Sequence, residues 1–327
     1  VDFLTSLCFY PTTVIFIDDD QSFLESIPLG IQPKLAYRLF RDPVKALHFA
    51  NNAKTPFINS PLYSDDQDNE NQHRDARYIN RQLSDVGRFD ELTIVVVDYD
   101  MPHMSGLEVC QQLTDRHVKK ILLTGVADEK IAVKALNRNI IDYYIQKHET
   151  DIFSDLKQTI ENLQQQYFRE LSDSFAYAGG QPTFLNDEKF QELFAHTREE
   201  LGIVEYYFQG EAGGFLMISA GGELSRFIVY DGDDLATQID MVDNLEGPQQ
   251  LLDALVSGEQ IALFPTSDGF YDESITDWKR YLYPAKRIDG KQPYYCATIE
   301  APEIDQYLRA DLVSYDTFLS GRDYTVQ

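Results

Sequence analysis

The run Thr93-Ile94-Val95-Val96-Val97 constrains this chain more than any other segment, because it is β-branched throughout and has no charged break. Such a run suits a strand covered on both faces, as in the interior of a parallel sheet. Asp98 follows at its C-terminal end, the edge where open α/β sheets place their chemistry. Pro102 and Gly106 shape the loop beyond it, and the pattern from Leu107 to Leu113 predicts a helix.

Three further strand ends turn this carboxylate into a constellation. Val14-Ile15-Phe16-Ile17 runs directly into Asp18-Asp19-Asp20, Ile121-Leu122-Leu123 ends on Thr124-Gly125, and Tyr143-Tyr144-Ile145-Gln146 ends on Lys147. Clustered carboxylates repel one another, and a hard divalent cation such as Mg²⁺ is the usual resolution. An acid pair, an aspartate, a hydroxyl and a cation thus follow in chain order on one sheet edge.

In this order of residue types the first 150 residues resemble the CheY-like receiver domain of two-component response regulators. The resemblance implies a flavodoxin-like, doubly wound α/β fold with a five-stranded parallel sheet. It implies that Asp98 is the phosphoacceptor, and that Asp18, Asp19, Asp98 and the backbone carbonyl of Asp100 hold Mg²⁺. It also implies that Thr124 and Lys147 engage the phosphoryl oxygens, that Tyr144 is the switch aromatic, and that a sensor histidine kinase or phosphotransfer protein is the partner. The sequence departs from that family in two places. Lys147 is followed by His148 where most receivers carry a proline. An insertion of roughly 35 residues, about 53–91, precedes the strand of Asp98 and exceeds an ordinary connection. Within it Asn59 to Gln72 is polar and acidic, suited to a mobile loop, whereas Ala76, Ile79, Leu83 and Val86 give Arg74 to Phe89 a helical period.

Charge separates the two halves. Residues 1–150 carry 16 Lys and Arg against 22 Asp and Glu, and residues 151–327 carry 12 against 32, so the balances are −6 and −20 of the total −26. A module that grips DNA neutralises phosphates with a basic stripe, which argues against a DNA-reading output. Cys8, Cys110 and Cys296 are few, odd in number and far apart, which favours a reducing compartment over a disulfide framework. No apolar run reaches membrane-spanning length and no signal peptide is visible, so a cytoplasmic, bacterial protein is expected. The apolar segment Val1 to Tyr10 is expected to pack on the receiver, and the missing initiator methionine suggests a trimmed start.

Asp151 to Leu171 reads as one long helix within a linker of residues 151–180. Phe153, Leu156, Ile160, Leu163 and Tyr167 are spaced as a coiled-coil seam. That stripe either pairs two copies in a homodimer formed on phosphorylation or packs on its own domains. Ala178-Gly179-Gly180-Gln181-Pro182 ends the helix. Residues 181–327 then read as an acidic α+β domain with an antiparallel sheet and helices largely on one face. It comprises a helix from Asp187 to Leu201, hairpins around Ala220 to Glu223 and Asp289 to Lys291, helices Leu235 to Val242 and Pro248 to Val256, and a final helix Glu303 to Leu319.

Other motifs in this half have structural explanations. Gly221-Gly222-Glu223-Leu224 resembles the hairpin signature of diguanylate cyclases, but the rest of that family's pattern is absent and a glycine turn explains it. Asp231-Gly232-Asp233-Asp234 reads as a helix start rather than a cation loop. His196 is the only histidine after His148, too few for a zinc hydrolase. Ser219 and Ser267-Asp268-Gly269 lack a partner base. Trp278, Tyr281, Tyr283, Tyr294 and Tyr295 line either a ligand pocket or a core. The expected whole is a regulator with no activity beyond self-phosphorylation and autodephosphorylation, whose output binds a protein or small ligand. The alternative is an unrecognised enzyme as output.

Overall fold

The computed structural model describes residues 5–31, 34–53, 82–125, 128–148, 151–174, 182–210, 214–266 and 269–327. The chain divides into two units that its covalent order does not respect. One contains residues 11–60, 86–171 and 318–327; the other contains residues 1–10, 61–85 and 172–317.

The first unit is built on five parallel strands in the order β3-β2-β4-β5-β6. These are β2 Thr13–Ile17, β3 Ala36–Phe40, β4 Leu92–Asp98, β5 Lys119–Thr124 and β6 Tyr143–Gln146. All but the edge strand β6, where Tyr143 is exposed, are buried on both faces. Ile15, Val95, Val97 and Leu122 pack to one side, Val14, Phe16, Ile94 and Val96 to the other. The helices between them start where the sequence supplies caps. Asp20 accepts from the Ser22 amide at the head of α1 Gln21–Gly30, and Asp42 caps α2 Pro43–Asn52 with proline in its first turn. Ser105 and Glu108 form a capping box on α3 Gly106–Gln112. Helix α4 Glu129–Asn137 follows β5, and α5 Ile152–Ser174 follows β6.

The seam expected on the long helix is consumed within this unit. Ile152, Leu156, Ile160 and Leu163 belong to the same buried cluster as Phe16, Ile94 and Val96, and Tyr167 is also buried. The stripe therefore packs on the chain's own sheet, because burial there removes the same apolar area from water that a partner helix would. The C-terminal segment also returns to this unit. The Gln327 amide donates to Leu39 and the Arg41 amide to Gln327, with Tyr324 4.5 Å from the Tyr37 ring.

The second unit carries a six-stranded sheet in the order β1-β7-β8-β9-β13-β12, antiparallel throughout. Its strands are β1 Cys8–Phe9, β7 Ile203–Phe208, β8 Phe215–Ser219, β9 Leu224–Tyr230, β12 Lys286–Asp289 and β13 Pro293–Glu300. The N-terminal segment thus pairs here, Cys8 with Tyr207 and Phe9 with Tyr206, and not on the receiver as expected. An open sheet edge with matching backbone groups decides its place. Residues 1–10 and 318–327 consequently exchange places relative to the simple division at residues 150 and 180.

Helices cover both faces of this sheet, a second departure from expectation. Phe190 and Phe194 of α6 Glu188–Glu200 pack with Phe227 and Val229, whereas Leu235 of α7 Gly232–Asn244 packs with the alternate residues Ile228 and Tyr230. Helix α8 Gln249–Ser257 and the small pair β10 Gln260–Ala262 and β11 Leu282–Pro284 complete that side. The expected final helix is broken into a 3₁₀ turn, Glu303–Ala310, and α9 Tyr315–Ser320. Of the insertion, residues 54–81 with Ala76 and Ile79 lie outside the described residues, as does most of Ala178–Pro182. Leu83 is buried, and its carbonyl accepts from the Val313 amide.

Candidate functional site

Parallel register brings the polar strand ends together. Ile17 pairs with Val97, Asp98 with Leu123 and Thr124 with Gln146, so Asp18, Asp98, Thr124 and Lys147 fall on one edge. The backbone holds them there: the Asp18 amide donates to Phe40, the Tyr99 amide to Leu123 and the Lys147 amide to Thr124, at 2.9–3.0 Å. Gly106 is required, since a Cβ at that position would collide with the carbonyl of Asp98. His103, in the loop that follows, takes a left-handed conformation with φ 72°, the kind of local strain that functional loops carry.

One oxygen each from Asp18, Asp19 and Asp98 lie within 4.8 Å of one another. Lys147 Nζ sits 2.7 Å from Asp18 and 2.8 Å from Asp98. Burial pushes both carboxyls above their usual range, and the Lys147 ammonium pulls against that shift without cancelling it. For Lys147 burial works downward, but its bonds to the two aspartates prevail and the ammonium is held above its ordinary value. Three carboxylates against one ammonium leave two negative charges at a largely buried edge. The Thr124 hydroxyl, fully buried, has no hydrogen-bond partner among the described residues, a cost that a ligand oxygen would remove.

The donor set fits a hard divalent cation, which binds carboxylate and carbonyl oxygens and would neutralise the excess charge. Asp20 is diverted from this group, its carboxylate capping α1. Asp100 lies exposed in the loop after β4, and Tyr144 is half-buried against the cluster of Leu122 and Val97. Sequence reasoning missed Phe23. Its ring centre lies 5.0 Å from Lys147 Nζ, and the only signal for it was an aromatic residue in the first turn after the acidic run.

Among the described residues, no second cluster of this kind forms in the other unit. Asp231 accepts from the Asp233 and Asp234 amides as a helix cap. Ser267 and Asp268 lie outside the described residues. Of the five aromatics, Tyr294 is core, while Tyr281 and Tyr283 line a shallow cavity of about 300 Å³ with Arg280, Glu300 and Glu303.

The response regulator receiver domain family matches residues 74–161, which include Asp98, Thr124 and Lys147. Strand β2 and its Asp18-Asp19 pair lie upstream of that match, which begins within the insertion. Over its whole length the chain is similar to the response regulator LqsR of Legionella pneumophila. The two are 33% identical, with 98% of this chain and 97% of that chain covered and a TM-score of 0.82. The chain belongs to the response regulators. A receiver domain protein from Clostridium thermocellum shares 19% identity over 47% of this response regulator and 95% of its own chain, with a TM-score of 0.33. No curated protein matches it. Membership implies two-component signalling and a phosphodonor such as a histidine kinase. Among the described residues, no helix of this response regulator is long and apolar enough to cross a membrane.

Proposed function

We propose that this response regulator accepts a phosphoryl group on Asp98 in a Mg²⁺-dependent reaction. The observation that carries the reading is the triad of carboxylates within 4.8 Å, two of them bridged by Lys147. An Asp98 carboxylate oxygen attacks phosphorus, a new O–P bond forms, and the bond from phosphorus to the donor breaks, its electron pair leaving with the donor. In-line transfer of this kind asks mainly for positioning and for positive charge around the equatorial oxygens. Lys147 supplies one charge and the buried Thr124 hydroxyl a donor that no described residue uses. Mg²⁺, held by Asp18, Asp19, Asp98 and the Asp100 carbonyl, would supply further charge neutralisation. Phosphorylation places strong acceptors beside Thr124, and Tyr144, half-buried next to that strand, can refill the space the threonine leaves, a local charge event read out as packing.

The output is a protein- or ligand-binding domain that does not read DNA, a reading supported by its charge of −20 over residues 151–327. The kinase or phosphotransfer partner acts in the bacterial cytoplasm. A homodimer formed on phosphorylation would use a face other than the stripe of Leu156, Ile160 and Leu163, which the receiver sheet already covers.

With Mg²⁺ and acetyl phosphate the full chain is expected to gain one acid-labile phosphate, read by intact mass, and Asp98→Asn to abolish it. Labelling that survives Asp98→Asn would sink the assignment. Binding of generic duplex DNA in the micromolar range at about 0.1 M salt would overturn the reading of the output.

A further inference from the structure

Lys147 makes a third contact that the phosphoryl-transfer scheme does not use. Its ammonium stands 5.0 Å from the centre of the Phe23 ring while it bridges Asp18 and Asp98. A cation within about 6 Å of an aromatic face is drawn to the ring quadrupole, more strongly as water is excluded. The Lys147 side chain is 23% exposed, so one side of an otherwise mobile four-carbon stem is seated on a ring. That ring is itself backed. Phe23 stacks on Phe153, centroids 6.4 Å apart and planes at 15°, and Phe153 packs so closely on Gly30 that a Cβ there would collide with its ring. Gly30 closes α1 and Phe153 opens α5, so two helices hold the ring in place.

We propose that Phe23 is a positioning residue for phosphoryl transfer, holding the Lys147 ammonium over Asp98 so that it meets the incoming phosphoryl oxygens without first being ordered. The proposal rests on Asp98 as phosphoacceptor and leaves the bonds made and broken as stated above. When Asp98 becomes an acyl phosphate, its oxygen no longer carries the charge that held Lys147. The ring then remains as a fixed seat from which the ammonium turns to the phosphoryl group. Leucine at position 23 keeps the apolar contact with Phe153 and removes the π face; tyrosine keeps both.

The test uses the full chain with Mg²⁺ and acetyl phosphate. Phe23→Leu is expected to slow initial labelling between about twofold and thirtyfold, and Phe23→Tyr to restore it. A residue that only packs would lose as much as tyrosine as it does as leucine, or nothing in either case. Labelling by Phe23→Leu at the unaltered rate, or equal slowing in both variants, would overturn the proposal. A second measurement needs no Phe23 variant to fold. In the unaltered chain the Lys147 ε-CH₂ resonances, assigned by their disappearance in Lys147→Arg, should be shifted upfield by the ring current. Shifts at ordinary lysine values would overturn the contact itself. Failure of the underlying reading looks different: the unaltered chain would not label, or labelling would survive Asp98→Asn.

Discussion

The two units bury ion pairs in opposite ways. In the second unit Arg226 Nε and Nη2 donate to the two oxygens of Asp305 at 2.6 Å, a bidentate pair with side chains 5% and 0% exposed. In the receiver one ammonium faces Asp18, Asp98 and the nearby Asp19, and a buried hydroxyl has no partner among the described residues. The first arrangement is saturated, and nothing is gained by bringing a ligand to it. The second holds more negative charge than the Lys147 ammonium compensates, which is costly unless something else arrives. Charge balance, more than burial, separates architecture from a site.

That contrast can be broken most directly by removing a carboxylate from each. Asp305→Ala removes the carboxylate that takes two hydrogen bonds from the buried Arg226 and is expected to cost about 3–5 kcal/mol in urea unfolding of the full chain. Asp18→Asn, without metal, should cost far less, because it relieves repulsion within an overcharged cluster. Equal losses would mean that the receiver cluster is structural after all. A smaller effect sharpens the same point: Mg²⁺ at about 100 times its dissociation constant should stabilise the receiver by about 2.7 kcal/mol. Asp19→Asn should shrink that gain, while the Asp305 variant should keep it.

The smallest expected effect is in pH. Burial raises the pKa of Asp18 and of Asp98, so the stability they contribute is full below about pH 4, the unfolded value. It is lost as pH rises through their folded values. Metal-free protein should therefore melt at lower temperature as pH climbs from about 4 toward neutral, and Asp98→Asn should flatten that slope. Mg²⁺ should reverse it, since coordination needs the ionised carboxylates. Lys147 is also raised; its contribution persists through this window and is lost only as pH rises through its folded value.

The chain by itself determined four of the five receiver strands and the polar residue at the end of each; β3 Ala36–Phe40 was not among them. An unbroken apolar run is local information, and so is the residue that follows it. Asp18, Asp98, Thr124 and Lys147 were legible for that reason, and parallel register then aligned them. Tertiary structure alone decided what covers what. The stripe Leu156, Ile160 and Leu163 states that a face must be buried but not by which surface, and the receiver sheet took it. Cys8 and Phe9 could add to any open edge, and β7 received them, just as Leu39 and Arg41 received Gln327. The seat of Lys147 on Phe23 was equally invisible, because it joins residues 124 positions apart whose only link is the folded distance of 5.0 Å. Sequence patterning fixes which faces and ends are polar; pairing partners depend on complementary surfaces that exist only after the chain has folded.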